Sequence, residues 1–204
     1  MVDFSEKTIE TYDEIAKYYS ESHYDVRFWE KEFEIFKNLV KGRKIIDIGC
    51  GAGRDAVLFV NSRFDYTGID ASRNILEEAK IRVKNGRFIF MSFYELDFSE
   101  NSFDGFWACA SLLHVPKNKI EQVLKNIIRI MKKGAVGFIS LKEKTFMSEG
   151  MIDEEKYGGI SRYFSFYSRE EFEEVLNENG FRVIRFHILK EGDTNWLCFF
   201  VNKA

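Results

Sequence analysis

The sequence predicts an α/β domain built on a doubly wound, mostly parallel sheet with helices on both faces, and three observations carry the prediction. Short apolar, β-branched runs at residues 44–48, 66–70, 87–91, 106–110 and 135–141 alternate with amphipathic stretches of helical spacing. The first run ends in a glycine-rich turn, Gly49-Cys50-Gly51-Ala52-Gly53, that opens into a helical stretch. The last two runs, 181–188 and 194–201, flank Glu191-Gly192-Asp193 and read as an antiparallel hairpin that completes the sheet.

Each element follows from its residues in turn. Ile9, Tyr12, Ala16 and Tyr19 share one face of a helix over 5–21, which Ser5 can cap; Trp29, Phe33, Phe36 and Val40 share a face of a second helix over 25–40, with Asp25 at its start and Gly42 past its end. A helix from Arg54 to Ser62 follows the glycine turn, and Ser72 caps another running to about Lys84. Asn101–Gly105 turns into the fourth strand. Pro116 starts a helix with Ile120, Val123, Leu124, Ile127 and Met131 on one face, closed by Lys132-Lys133-Gly134. Ser168 and Glu171 form a capping box for the last helix, which ends before Gly180. Residues 142–167, with Gly150, Gly158 and Gly159, show neither period and read as an irregular lid over the site.

Composition narrows the class. A 204-residue chain with 45% hydrophobic residues makes one domain with a sizeable core: a helical cap over 1–42, a cofactor-binding core over 43–141, the lid over 142–167, and a helix with hairpin over 168–204. A net charge of -3 carries no basic footprint, so no nucleic-acid partner is expected. Cys50, Cys109 and Cys198 are scattered and odd in number, which argues against a disulfide framework or a metal site and for a reducing cytoplasm. Neither a signal-peptide pattern nor an apolar run of membrane-spanning length is present, so no membrane partner is expected. A charged fraction of 31% with one glutamine and one proline hints at a thermophilic source.

The glycine turn is a nucleotide cradle: glycines at 49, 51 and 53 admit a ligand close to the backbone, and the following helix start offers unpaired N–H groups. A dinucleotide fingerprint would place its third glycine at position 54, where this chain has Arg54. Asp47 stands two residues before Gly49, and Gly68-Ile69-Asp70 ends the second strand nineteen residues after Gly51, placing a carboxylate for both hydroxyls of a ribose. Asp-Ile-Gly-Cys-Gly-Ala-Gly followed by Gly-Ile-Asp resembles the class I, Rossmann-like S-adenosylmethionine (SAM) methyltransferases, over roughly residues 40–203.

The resemblance implies a seven-stranded sheet of order 3-2-1-4-5-7-6 with the last strand antiparallel, and SAM as cofactor, leaving S-adenosylhomocysteine. It places Asp47, Gly49, Cys50, Gly51, Gly53, Arg54, Asp70, Ala71, Ser72, Ser92, Phe93 and Ala110 around the cofactor, with Tyr19 reaching it from the N-terminal cap. Ser92 stands where the family commonly has an acid for the adenine amino group. The end of the fourth strand has no Asn-Pro-Pro-aromatic motif, no Pro-Cys nucleophile and no metal-binding acids, which disfavours amide, cytosine-carbon and catechol methylation. The expected activity is methyl transfer by in-line displacement to a small, partly apolar acceptor, with His114 as general base and no metal; His23 and His187 are expected outside the crevice. A non-catalytic SAM-binding module and a protein or RNA methylase are the alternatives, and the sequence leaves a monomer and a dimer equally open.

Overall fold

The computed structural model describes residues 4–155 and 159–204, so Gly158 and the side chain of Ser5 lie outside the described residues. Helix α1 (Phe4–Ser22) is followed by a 3-10 turn (Val26–Trp29) running straight into α2 (Glu30–Leu39); Asp25 accepts the Arg27 N–H and caps that turn. Strand β1 (Lys44–Ile48) leads to α3 (Ala56–Asn61), β2 (Asp65–Asp70), α4 (Arg73–Arg82), β3 (Arg87–Phe90) and β4 (Phe103–Cys109). Two short 3-10 turns, Leu112–His114 and Lys117–Lys119, precede α5 (Ile120–Ile130) and β5 (Met131–Lys142). A hairpin of β6 (Glu149–Glu154) and β7 (Ile160–Ser165), then α6 (Arg169–Glu178), β8 (Phe181–Glu191) and β9 (Thr194–Lys203), complete the chain.

The main sheet has the order β3-β2-β1-β4-β5-β9-β8; β9 runs antiparallel to both its neighbours, and every other pairing is parallel. This is the expected seven-stranded Rossmann-like arrangement, with β8 and β9 in the places of the sixth and seventh strands. Its core is aromatic. Trp107 of β4 stacks on Phe138 of β5 at 4.1 Å and meets the edges of Phe36 and Phe59, while the neighbouring Phe106 meets Phe181. Successive strand residues thus serve different contacts, as the two-residue side-chain period requires. Helix α5 buries Ile120, Val123, Leu124 and Ile127 of the predicted stripe, but its last buried residue is Ile130, because Met131 already belongs to β5.

Three expectations are corrected. Pro116 precedes a 3-10 turn, and α5 begins only at Ile120. Lys132-Lys133-Gly134 does not close that helix. It forms a bulge in β5, between the Met131 and Val136 pairings with β4, where Gly134 takes φ +72°. The segment 142–167 is not irregular: β6 and β7 form an antiparallel two-stranded sheet of their own. No alternation betrays β7 because its last four residues are all buried, Thr8 and Thr11 of α1 bonding its backbone at Tyr163 and Ser161. The capping box of Ser168 and Glu171 is present as read.

Candidate active site

The carboxyl ends of β1, β2 and β4 open onto a cavity whose floor is the glycine turn. Gly49, at φ +74°, and Cys50 both donate their N–H to the Ile69 carbonyl at 2.9 Å, turning the chain sharply off β1. A Cβ on Gly49 would stand 2.5 Å from the Cβ of Ser111, so only glycine fits under the loop after β4. A Cβ on Gly51 would meet Tyr19 Cε1 at 3.9 Å, an ordinary contact, and Gly51 donates its N–H to Asp70 Oδ2 at 2.9 Å. Asp70 Oδ1 accepts the Ser72 N–H at 3.0 Å. An ionised carboxylate has about four acceptor positions, so these bonds leave capacity for a ligand's hydroxyls. Burial pushes the Asp70 carboxyl up, opposed by the amides of Ser72, Gly51 and Ala71.

Two buried carboxylates beneath the turn behave in opposite ways. Asp47 accepts the Tyr66 hydroxyl at 2.7 Å, yet burial and then the charge of Asp55 push it well above the carboxylate range. Asp55, which the sequence reading did not single out, is raised by burial but held below that range overall by Arg54 and by hydrogen bonds from Arg54 and Trp107. Arg54 grips it bidentately at 2.6 and 2.9 Å, and Trp107 Nε1 donates at 2.9 Å. Arg54 is therefore a tethered cation facing the cavity. The signal for Asp55 was its adjacency to Arg54, uninterpretable without Trp107 opposite.

Of the expected cofactor residues, the cavity brings together Tyr19, Asp47, Gly49, Cys50, Gly51, Arg54, Asp70, Ala71, Ser92, Phe93 and Ala110. It does not include Gly53 or Ser72. Gly53 faces away, where a Cβ would lie 3.2 Å from the Ala79 backbone, so it serves the packing of α4. Ser72 is 1% exposed: it accepts the Ile75 N–H at 3.2 Å to cap α4 and donates to Asp13 of α1 at 2.6 Å. Asp13 also accepts the Asn74 N–H at 3.0 Å, docking the N-terminal helix over the start of α4, where a negative charge meets the positive end of the helix dipole.

A second cavity of about 300 Å³ adjoins the first, sharing Tyr12, Tyr19, His23, Arg54, Ala110 and His114 with it. Its far wall is aromatic and carries charges of both signs: Phe28, Trp29, Phe164 and Trp196 with Lys142, Arg162, Asp25 and Glu191. His23 was expected outside the crevice. It lines both cavities, because it stacks on Tyr19 at 4.1 Å just past the end of α1. Tyr12, Arg162 and Trp196 carried no site assignment, since nothing in the sequence brings 12, 162 and 196 together.

His114 sits where the two cavities meet, but not as a ring poised near neutrality. Nδ1 lies 2.6 Å from the Tyr163 carbonyl, which can only accept, so Nδ1 carries the proton and Nε2 accepts the Tyr12 hydroxyl at 3.0 Å. Arg162, paired with Glu154, donates in turn to the Tyr12 oxygen. Burial, then the charge of Arg162, push His114 down to about 3, with Lys142 adding to the effect. The imidazole is neutral across the physiological range.

The expectation of no metal-binding residues meets one grouping among the described residues: Glu32, His187 and Cys198 place donor atoms within 4.8 Å of one another, with Glu32 Oε1 2.8 Å from His187 Nε2. None of the three lines either cavity. Burial pushes the Cys198 thiol up to about 12. No helix among the described residues is long and apolar enough to cross a membrane.

Residues 45–134 match the family described as "Methyltransferase domain", a span containing the glycine turn, Asp70 and the strand above them. The chain is thus similar to the class I SAM-dependent methyltransferases, the family that its glycine turn and Asp70 resemble. It is 29% identical over 172 residues to the O-methyltransferase resE of Aspergillus sclerotiorum, covering 79% of this chain and 63% of that one. It is 30% identical over 134 residues to the 24-methylenesterol C-methyltransferase 3 of Arabidopsis thaliana, covering 61% and 34% respectively. The chain therefore spans less than two thirds of the length of either relative. Among solved structures, a SAM-dependent methyltransferase from Methanosarcina mazei superposes with a TM-score of 0.77 at 18% identity, covering 83% of this chain and 97% of the other. The 1,6-didemethyltoxoflavin-N1-methyltransferase of Burkholderia thailandensis, solved with 1,6-didemethyltoxoflavin and S-adenosylhomocysteine, superposes with a TM-score of 0.76 at 18% identity over 96% and 88%. At those identities the superpositions speak for the fold.

Proposed function

We infer that this methyltransferase binds SAM in the first cavity and transfers its methyl group to a small, partly apolar molecule held in the second. The observation that carries the reading is the continuity of the two cavities at Ala110 and His114, directly above a glycine turn whose Gly51 amide is bonded to Asp70. In this reading Asp70 takes the ribose hydroxyls, Gly49, Cys50 and Gly51 lie along the ribose and methionine portion, and Asp47 reaches the amino group through water. Ala71, Ser92 and Phe93 border the adenine, while Tyr19 closes over the site from α1.

SAM supplies an electrophilic methyl on a sulfonium. The protein's part is to align the acceptor with it and keep water out, and no protein nucleophile is required. The relatives that are O- and C-methyltransferases, and the structural neighbour carrying a small heterocycle, support a small-molecule acceptor. Calorimetry with SAM and S-adenosylhomocysteine tests the assignment: saturable heat with both is expected, together with a raised unfolding midpoint that NAD does not produce. Absence of binding by either compound would remove it.

A further inference from the structure

We propose that Glu32, His187 and Cys198 form a binding site for a divalent metal ion of the zinc class, with a carboxylate, an imidazole and a thiolate as ligands and water completing the shell. The site lies outside both cavities and stands independently of the methyltransferase reading.

Strand register creates it. In an antiparallel pair, directly opposite residues share a face, with Cβ atoms roughly 4.5–5.5 Å apart. His187 of β8 is opposite Cys198 of β9 only because β8 slips by one residue between Val183 and Arg185; carried on from the pairing of Val183 with Val201, an unbroken register would put Phe186 there. The His187 ring stacks on that of Phe200, two residues along β9 and so on the same face as Cys198. Glu32, in the first turn of α2, comes down on this face and sets Oε1 2.8 Å from His187 Nε2. A helix, an edge strand and its inner neighbour thus deliver one donor atom each, all within 4.8 Å of one another.

As an ion pair the arrangement is incomplete. Glu32 is 1% exposed, and its Oε2 is buried without a hydrogen-bond partner, as is His187 Nδ1. A buried ion pair short of further hydrogen bonds does not recover the cost of leaving water. Cys198 is held loosely, its Sγ lying 3.7 Å from the Trp196 carbonyl, a weak contact that is easily given up. A divalent cation here would engage the orphaned carboxylate, the ring nitrogen and the sulfur together.

The donor set selects the metal. Sulfur, nitrogen and oxygen ligands in one site suit zinc, whereas magnesium and calcium take oxygen alone. Tetrahedral zinc spaces its ligand atoms roughly 3.3–3.6 Å apart, so Glu32 and His187 need to part by only about half an ångström. The His187 side chain is 24% exposed, which gives the ion a way in and lets water take the remaining position. Binding costs Cys198 its thiol proton, which passes to solvent, and leaves the imidazole neutral with its proton on Nδ1. The loaded site fastens α2 to the β8–β9 hairpin, so metal binding and stability are linked.

The test strips the full chain with EDTA, then titrates it with zinc and, separately, with cobalt(II) as a spectroscopic reporter. Calorimetry should show one ion per chain, and the unfolding midpoint should rise with zinc and fall back with EDTA. Cobalt should give a thiolate-to-metal charge-transfer band together with the intense visible bands of a tetrahedral ion. Cys198→Ser should erase the charge-transfer band, while Glu32→Gln and His187→Gln should each lower zinc affinity by at least about tenfold. His187 is on the edge strand and partly exposed, so its variant keeps the test readable if a substitution at a fully buried ligand prevents folding. Excess magnesium should leave the ion in place. The proposal is overturned if the stripped protein takes up neither metal, if zinc affinity is unchanged in His187→Gln, if the charge-transfer band survives Cys198→Ser, or if magnesium displaces the ion.

Discussion

In the cradle of β1, the glycine turn and β2, Gly51 reaches Asp70 and Tyr66 reaches Asp47 across nineteen positions, and Ser72 reaches Asp70 across two. In the wall between the cavities, His114 meets Tyr163 across 49 positions, Tyr12 across 102, and Arg162 meets Tyr12 across 150. The cradle is a local device, one βαβ unit whose hydrogen bonds form when that unit does. The wall exists only after α1, the turn at Leu112–His114 and the β6–β7 hairpin have assembled. In the proposed reading, SAM binding rests on the local part and contact with the acceptor on the distant one.

The largest expected effect breaks the cradle. Asp70→Ala removes the carboxylate that bonds Gly51 and, in the proposed complex, both ribose hydroxyls. Charge-assisted hydrogen bonds contribute about 1.5–3 kcal/mol each, so calorimetry should show SAM affinity lower by roughly two orders of magnitude or more. A loss under about tenfold would mean that the ribose lies elsewhere. Next comes a pair of glycine substitutions. Gly49→Ala combines φ +74° with a Cβ 2.5 Å from Ser111, whereas Gly51→Ala has φ +53° and nothing nearer than Tyr19 Cε1 at 3.9 Å. In urea titrations the first should cost about 2–4 kcal/mol and the second about 1, while the second places its methyl in the cavity and weakens SAM binding. Equal destabilisation by both would contradict the close packing of the turn against the loop after β4.

The same contrast explains what was legible in the sequence. Asp47, the glycines and Asp70 are a pattern of types at fixed spacing, the Ser168 capping box is a similarly local signal, and the strand order came only as what the family resemblance implies. Tyr12 and Arg162 are ordinary residues until the β6–β7 hairpin lies along α1, and β7 hid its strand character by being covered where alternation would have shown. Ser72 and Gly53 sit within the motif region, yet the first turns to Asp13 and the second to Ala79. Spacing places a backbone, and only packing decides which way a small residue faces.

A smaller effect separates the wall from the cradle by pH. His114 titrates near 3 in the folded protein against an ordinary value of about 6.5, so between those values the unfolded chain binds the extra proton. Its contribution is complete above pH 6.5 and is lost progressively as the pH falls toward 3. The ring is partly exposed, so about 1 kcal/mol is expected between pH 7 and 4. Comparing His114→Gln with the unmodified protein by urea titration at both values should show their stability gap moving in favour of the variant at pH 4. A gap independent of pH would mean that the ring is as solvated when folded as when unfolded.

The smallest effect tests whether the wall can be loosened alone. Thr11, 2% exposed, donates its hydroxyl to the Ser161 carbonyl at 3.0 Å, tying α1 to β7. Thr11→Val keeps the volume and leaves that carbonyl short of a donor, at a cost of about 1 kcal/mol. If cradle and wall are separable, hydrogen exchange should quicken at amides of β6 and β7 and remain unchanged in β1 and β2, because the pairing of β1 with β2 does not involve α1. SAM affinity should then change little. Faster exchange throughout β1 and β2 would show instead that the cap and the cradle open as one unit, and that the local device depends on its distant lid.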